Sequence, residues 1–393
     1  MAKANKKNES APLSPIQKAR QGLKKALGKK YEDSQVPLND DLLREPAPHL
    51  PTGSVILDYL IGGRPNQFGV PPCPGWPRGR ISNVYGNPGA GKTTAALEAC
   101  ASVARMGESC AYIDFENEVD PAYAAAIGVP IADDNHFILD QPDTLEDGQR
   151  LMWAYAKAGV SLIVIDSVGA GVPEQWFHAK EEEIGDAGRI GLLAAKWSNF
   201  LPRFKRLIAK SGTAVIAISQ LRSKIGGMGM GPTTEVQGGK AWQYYSCVRM
   251  SLRVAGKEKA KMFNPLLGKA EEQVSATNVI AKLDKCKVSS SVFHEMKYWL
   301  SHGSGIDDVR SIIEVGSNYN VIKKAGAWYT WVTPEGEEIK ACGYPAFRAL
   351  VDEKDLSTTL FNHVSPLLTQ EFGDGEVEPD EGADASILDD LED

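Results

Sequence analysis

The stretch GNPGAGKTT, residues 86–94, decides the fold. It lies between the strand-like run GRISNVY (79–85) and TTAALEACASVARMG (93–107), whose apolar spacing is helical. A G-x-x-x-x-G-K-[ST] match in that strand-to-helix setting is a phosphate-binding loop. Its glycines let backbone N–H groups close around phosphate oxygens at a helix N-terminus, where those donors otherwise lack partners. Gly86, Asn87, Pro88, Gly89, Ala90, Gly91, Lys92, Thr93 and Thr94 then form the nucleotide cradle. Lys92 is placed to reach the β- and γ-phosphates, and the Thr93 hydroxyl to ligate Mg²⁺.

Outward from that loop, strands and helices alternate over residues 80–220. SCAYIDF (109–115), HFILD (136–140), SLIVIDSV (161–168) and TAVIAIS (213–219) read as strands. DPAYAAAIG (120–128), TLEDGQRLMWAYAKAG (144–159) and a long stretch over 187–211 read as helices. This alternation implies an α/β fold with a mostly parallel sheet covered on both faces. Further strands, arranged as hairpins, are expected over 243–254 and 277–300. Ahead of the core, SPIQKARQGLKKALGKK (14–30) predicts an amphipathic helix with Ser14 as cap, Pro15 in the first turn and Ile16, Ala19, Leu23 and Leu27 on one stripe. That segment has no core of its own and is expected to dock elsewhere, on another copy of the chain. RPNQFGVPPCPGWP (64–77) reads as a loop insertion. Four regions are expected: a helix and linker (1–48), an ATPase core (49–304), a small α+β domain (305–370) and an acidic, disordered tail (371–393).

Composition narrows the function class. The chain has 393 residues, no apolar run of membrane-spanning length and no signal-peptide core at MAKANKKNES. Its six cysteines form no Cys-x-x-Cys pair and no cluster at metal spacing, as in a reduced cytoplasmic protein. Net charge is −8, yet residues 371–393 alone hold eleven acids and no base, which leaves the rest at +3. The first thirty residues carry nine Lys/Arg against one Glu. An acidic tail on a basic body fits a polyanion binder whose tail competes for the site, and equally a solubilising tail.

Three more residues fall at strand ends. Asp166 closes LIVID, where a second aspartate completes the Mg²⁺ shell of phosphate-loop proteins, although an Asp ending an apolar strand is common by itself. Glu116, after IDF, can orient and deprotonate water in line with a γ-phosphate, or be a surface or cap glutamate. Gln220 closes TAVIAISQ and opens the glycine-rich SQLRSKIGGMGMGPTTEVQGGK (219–240). It can touch the γ-phosphate or simply bond the backbone. A loop so long and glycine-rich is functional or disordered.

These residues resemble the bacterial RecA recombinases, phage-borne relatives included. The resemblance runs through TGSVILD (52–58), the phosphate loop, IDFENEVDPAYA (113–124), QPDT (141–144), VIDSVGA (164–170), EEIGD (182–186), SQLRSKIG (219–226), QGGKA (237–241), CVRM (247–250), KAGAWY (324–329) and the acidic tail. It implies that Glu116 activates water, that Asp120 and Tyr123 contact adenine and so select ATP, and that Gln220 senses the γ-phosphate. It implies that Lys285 and Lys287, in DKCKVSS, reach a neighbour's ATP in trans. It also implies two DNA-gripping loops, near 174–191 and 221–239, with Arg189, Lys196, Arg203, Arg222, Lys224, Gly238 and Gly239 meeting phosphates. Three departures stand out: the 64–77 insertion, Met230 where an aromatic is common, and Pro202, which is expected to kink or break a helix.

The implied activity is a DNA-dependent ATPase, using ATP and Mg²⁺, that forms helical homo-oligomeric filaments on single-stranded DNA. It pairs that strand with double-stranded DNA and exchanges strands, with mediator proteins as further candidate partners and no membrane. Two rival readings are a ring-forming helicase or translocase of the same core fold, and a non-catalytic, filament-modulating DNA-binding protein.

Overall fold

The computed structural model describes residues 14–32, 40–178, 191–223, 234–264, 269–291 and 294–368. Residues 1–44 and 45–393 form separate compact units. In the first, α1 (Pro15–Leu27) is capped as the sequence predicts. Ser14 Oγ accepts the Gln17 N–H at 3.3 Å, and Gln17 Oε1 accepts the Ser14 N–H at 2.9 Å. A one-turn α2 (Lys29–Glu32) comes next. Ile16, Leu23 and Leu27 are all exposed, so this helix gains nothing from burial within its own unit.

The second unit begins with β1 (His49–Leu50), α3 (Val55–Gly62) and β2 (Trp76–Pro77), β2 pairing antiparallel with β1. Of the loop expected over 64–77, residues 64–75 form no helix or strand, whereas Trp76 and Pro77 make up β2. Then come β3 (Ile81–Gly86), α4 (Lys92–Arg105), β4 (Cys110–Asp114), α5 (Pro121–Ile127), β5 (Phe137–Asp140), α6 (Leu145–Ala158), β6 (Leu162–Asp166), α7 (Glu174–Phe177), α8 (Leu192–Ser211) and β7 (Ala214–Ser223). The chain continues through β8 (Thr234–Val236), α9 (Lys240–Tyr245), β9 (Val248–Asn264), β10 (Lys269–Cys286), β11 (Glu295–Ser301) and β12 (Gly305–Ile306). It ends with α10 (Asp308–Asn318), a three-stranded antiparallel sheet β13 (Ile322–Ala325), β14 (Trp328–Val332) and β15 (Glu338–Cys342), and helices α11 (Tyr344–Glu353) and α12 (Ser357–Leu368).

The main sheet runs β12-β11-β10-β9-β3-β7-β6-β4-β5, with β8 paired to β7. From β9 to β5 every neighbouring pair is parallel, and β9 to β12 are joined antiparallel. Side chains alternate between two cores. Tyr112, Leu162 and Val164 face α4, while Ile113, Ile163 and Ile165 face α6 and α8. Because β3, β7, β6 and β4 lie side by side and parallel, their C-terminal ends converge on one edge. Ligands of open α/β sheets bind at such an edge.

Three expectations need correction. Residues 243–245 belong to helix α9 rather than to a strand, because Trp242 buries its ring against Trp197, centroids 4.8 Å apart. The strands expected over 277–300 are β10 and β11, paired as a hairpin, but β9 and β10 run on to Asn264 and from Lys269, well beyond the expected bounds and the packed sheet. Pro202 does not break α8, which runs unbroken from Leu192 to Ser211. Trp197, Leu201, Phe204 and Ile208 are buried on both sides of that proline, and their packing outweighs one missing backbone hydrogen bond.

Candidate active site and nucleic-acid contacts

The 86–94 loop turns from β3 into α4. Gly91, at φ +84°, caps the helix, and a Cβ there would lie 2.4 Å from Leu300 Cδ1; Gly89, at φ +72°, faces open space. Lys92 Nζ donates to the Asn87 carbonyl at 2.9 Å, so the ammonium is folded over the loop. Burial lowers its pKa, opposed by the nearby Asp166 and Glu116 carboxylates. A cavity of about 280 Å³ adjoins the loop, lined by Gly89, Gly91, Lys92, Thr93, Thr94 and Tyr123 on one side. Thr277, Leu300, Ser301, His302 and Gly303 form the other wall. Thr94 Oγ1 and the Tyr123 hydroxyl are 2.9 Å apart, which fixes the tyrosine at the mouth. Asp120, at the start of the helix that carries Tyr123, caps α5, its carboxylate accepting the Ala122 N–H at 2.9 Å.

Asp166 ends β6 beside Thr93. The Thr93 hydroxyl donates to Asp166 Oδ2 at 2.8 Å, and the fully buried Tyr112 hydroxyl donates to the same oxygen at 2.7 Å. Burial pushes the Asp166 carboxyl up to about 6, against the downward pull of those two hydroxyls. A hard oxygen donor pair, one hydroxyl and one carboxylate beside glycine N–H groups, suits Mg²⁺ held jointly with nucleotide phosphates.

Three adjacent strands deliver the next cluster. Glu116 lies just past β4, Ser167 just past β6 and Gln220 near the end of β7. Gln220 Nε2 donates to both Glu116 oxygens, at 2.9 and 3.2 Å, and Ser167 Oγ donates to Glu116 Oε1. The carboxylate is thus gripped from two sides. Gln220 also ties this cluster to the root of the glycine-rich loop. Its carbonyl accepts the Gln237 N–H at 2.9 Å, and β7 continues into a ladder with β8, Leu221 opposite Val236. The far root of that loop packs tightly. A Cβ on Gly238 would lie 2.4 Å from Val168 Cγ2, and one on Gly239 would lie 2.9 Å from Ala194 Cβ.

The basic residues fall in three places. On α8, Lys196 forms an ion pair with Glu146 at 2.8 Å, and the Arg203 guanidinium lies 5.6 Å from the Trp153 ring centroid. The second oxygen of Glu146 accepts the Glu174 N–H at 2.8 Å. Burial raises the Glu146 pKa, but these two partners more than offset it and the net shift is downward. Arg222 sits in the β7–β8 ladder opposite Glu235. Lys285 Nζ donates to the Gln243 and Tyr244 carbonyls at 2.9 and 3.0 Å, away from the residues around the phosphate loop. Burial, then repulsion from Lys287 and Arg249, lowers its pKa. Arg189, Lys224 and Met230 lie outside the described residues.

A family model described as "RecA N-terminal domain" matches residues 16–307, about three-quarters of the chain. The chain belongs to the RecA family. Protein RecA of Mycobacterium avium is 32% identical over 365 residues, covering 92% of this chain and 93% of that protein. Protein RecA of Lactobacillus delbrueckii subsp. bulgaricus is 34% identical, covering 80% and 86%; that of Brevibacillus brevis is 40% identical, covering 71% and 72%. Membership makes the chain a recombinase with DNA-dependent ATP hydrolysis, acting in recombination and repair. It binds nucleotide and DNA and oligomerises as this family does. No described helix is long and apolar enough to cross a membrane.

Within this RecA chain, sequence reasoning missed Ser167, Tyr112 and the 277/300–303 cavity wall. The wall had one signal: Gly303 and Gly305 take φ of +86° and +88° and frame a tight SHGSG turn between β11 and β12. Tyr112 and Asp166 share one sheet face by alternation, but nothing in the sequence pairs the two strands.

Proposed function

We propose that this chain forms ATP-gated helical filaments on single-stranded DNA and pairs them with a homologous duplex. Glu116 is the water-activating carboxylate, held in position by Gln220 and Ser167. Lys92 and the loop N–H groups bind the phosphates, while Thr93 and Asp166 hold Mg²⁺. When bound, Mg²⁺ neutralises charge on the β- and γ-phosphates. Tyr123 flanks the base, with Ser301 to Gly303 opposite it. Asp120 would contact the base beside Tyr123, and its cap sets the start of α5, which presents that tyrosine.

Gln220 supports the gating. Its amide is on the water-activating carboxylate and its backbone is in the strand that opens the 221–239 loop. A γ-phosphate that engages the same amide would pull on the root of a DNA-binding loop. Arg222, Lys224, Gly238 and Gly239 would hold phosphates there, with Arg189, Lys196 and Arg203 on the other loop and helix. Backbone contacts of this kind carry no sequence preference and weaken steeply with salt. Lys285 and Lys287 would swing out to reach ATP on a neighbouring copy, Lys285 leaving its two carbonyl partners, and α1 would bury its apolar stripe on that copy.

Electron microscopy with ATP and single-stranded DNA tests this reading. Helical filaments with DNA-stimulated ATP turnover are expected. Closed rings would mark a translocase, and DNA coating without turnover a non-catalytic binder.

A further inference from the structure

The hydroxyl of Tyr112 has no part in the roles assigned so far, although it touches the proposed Mg²⁺ ligand. Tyr112 is the middle residue of β4, wholly buried, with its ring in the core between the sheet and α4. Packing alone calls for a phenylalanine there. A buried hydroxyl is costly unless it is hydrogen-bonded. This one is bonded to a single atom, Asp166 Oδ2, at 2.7 Å. Tyr298, equally buried on β11, is different: its hydroxyl meets no hydrogen-bond partner among the described residues.

The geometry comes from the sheet. Strands β4 and β6 pair in parallel, Tyr112 opposite Val164 and Asp114 opposite Asp166. Residues 112 and 166 therefore project from the same face, two residues apart along the strands. The tyrosine is long enough to lay its hydroxyl under the aspartate from the core side. Thr93 approaches the same oxygen from the helix. Two donors on Oδ2 fix the carboxylate's rotation and leave Oδ1 as the oxygen with free lone pairs.

We propose that Tyr112 is a positioning residue for the divalent cation: its hydroxyl locks Asp166 in the orientation that receives Mg²⁺ with the nucleotide. This rests on the assignment of Thr93 and Asp166 to the cation. It goes further by locating part of the cation's affinity in a core side chain that touches neither metal nor nucleotide.

Tyr112→Phe keeps the ring and deletes only the hydroxyl. The assay is equilibrium binding of a fluorescent ATP analogue as Mg²⁺ is titrated, with a second titration in EDTA, and without DNA. The Mg²⁺ needed for half-maximal binding should rise roughly tenfold, the scale of one hydrogen bond to a charged acceptor. Binding in EDTA should stay within about twofold of wild type, since the phosphate cradle is untouched. A purely structural role would shift both titrations and the unfolding midpoint together. Tyr298→Phe, which removes a buried hydroxyl without a partner, should leave the Mg²⁺ curve in place. In an Asp166→Asn background, Tyr112→Phe should add no further shift. Superimposable Mg²⁺ curves for wild type and Tyr112→Phe overturn the proposal, as does an equal shift in the Asp166→Asn background. If Asp166→Asn alone leaves the Mg²⁺ curve unmoved, the underlying cation assignment fails instead.

Discussion

Replacing Gln220 by alanine separates ATP binding from ATP turnover. The Gln220 amide donates to both oxygens of Glu116, at 2.9 and 3.2 Å, and touches neither the phosphate loop nor the Thr93–Asp166 pair. The strand itself survives the change, because Gln220 holds its place through backbone pairing with Gly86 and with Gln237. What is lost is a bifurcated, charge-assisted contact of about 1.5–3 kcal/mol. If it holds Glu116 in its working orientation, kcat falls about 10- to 100-fold while nucleotide affinity changes by less than about threefold. Stimulation by DNA should fall too, since this residue joins Glu116 directly to the strand that opens the 221–239 loop. The assay is steady-state ATP hydrolysis with and without single-stranded DNA, alongside binding of a non-hydrolysable nucleotide. A variant with DNA-stimulated turnover within about twofold of wild type would refute the coupling; weakened nucleotide binding would place Gln220 in the cradle instead.

Two further perturbations test other parts of the account. Glu146→Gln frees Lys196 from its ion pair, so affinity for single-stranded DNA should rise about two- to tenfold in fluorescence anisotropy at low salt; unchanged or weaker binding argues against Lys196 as a phosphate contact. Asp58 is half-buried near Asp308, and loss of solvent foremost lifts its carboxyl to about 7 although the Thr52 N–H pulls the other way. A folded pKa above the unfolded value gives stability that is full below about pH 4 and lost as pH rises through about 7. Asp58→Asn should therefore be more stable than wild type by about 2–4 kcal/mol in urea unfolding near pH 8, the gap closing toward about pH 4.5. A gap that does not depend on pH contradicts the assignment.

The parts of the site that could be read from sequence are contiguous ones. GNPGAGKTT carries its own geometry, since the turn, the lysine and the hydroxyl lie within nine residues. The strands carrying Glu116, Asp166 and Gln220 are marked by apolar runs ending in polar residues. That Ser167 lies between Glu116 and Gln220 depends on the strand order β4-β6-β7, which no local pattern encodes. The cavity wall at Thr277 and Leu300 to Gly303 comes from strands some two hundred residues downstream of the phosphate loop. The extension of β9 and β10 is silent in the sequence for another reason. Lys257, Glu258, Lys259 and Lys261 are exposed alike, so no apolar alternation marks the strand; backbone pairing sustains it, with the Arg310–Glu258 ion pair as a side-chain tie. At 240–245 the aromatics KAWQYY favour a strand by propensity, and the tertiary contact of Trp242 with Trp197 prevails.

The most direct test of the central claim is ATP turnover by Glu116→Gln in the presence of single-stranded DNA. Glutamine keeps the side chain's size and can still accept from Gln220 and Ser167, but it cannot take a proton from water. The account predicts wild-type filaments that hydrolyse ATP when DNA is added. The variant should bind ATP and DNA as well as wild type, yet turn over at least about 100-fold more slowly. Hydrolysis by the variant at the wild-type rate would remove Glu116 from the mechanism and contradict the account.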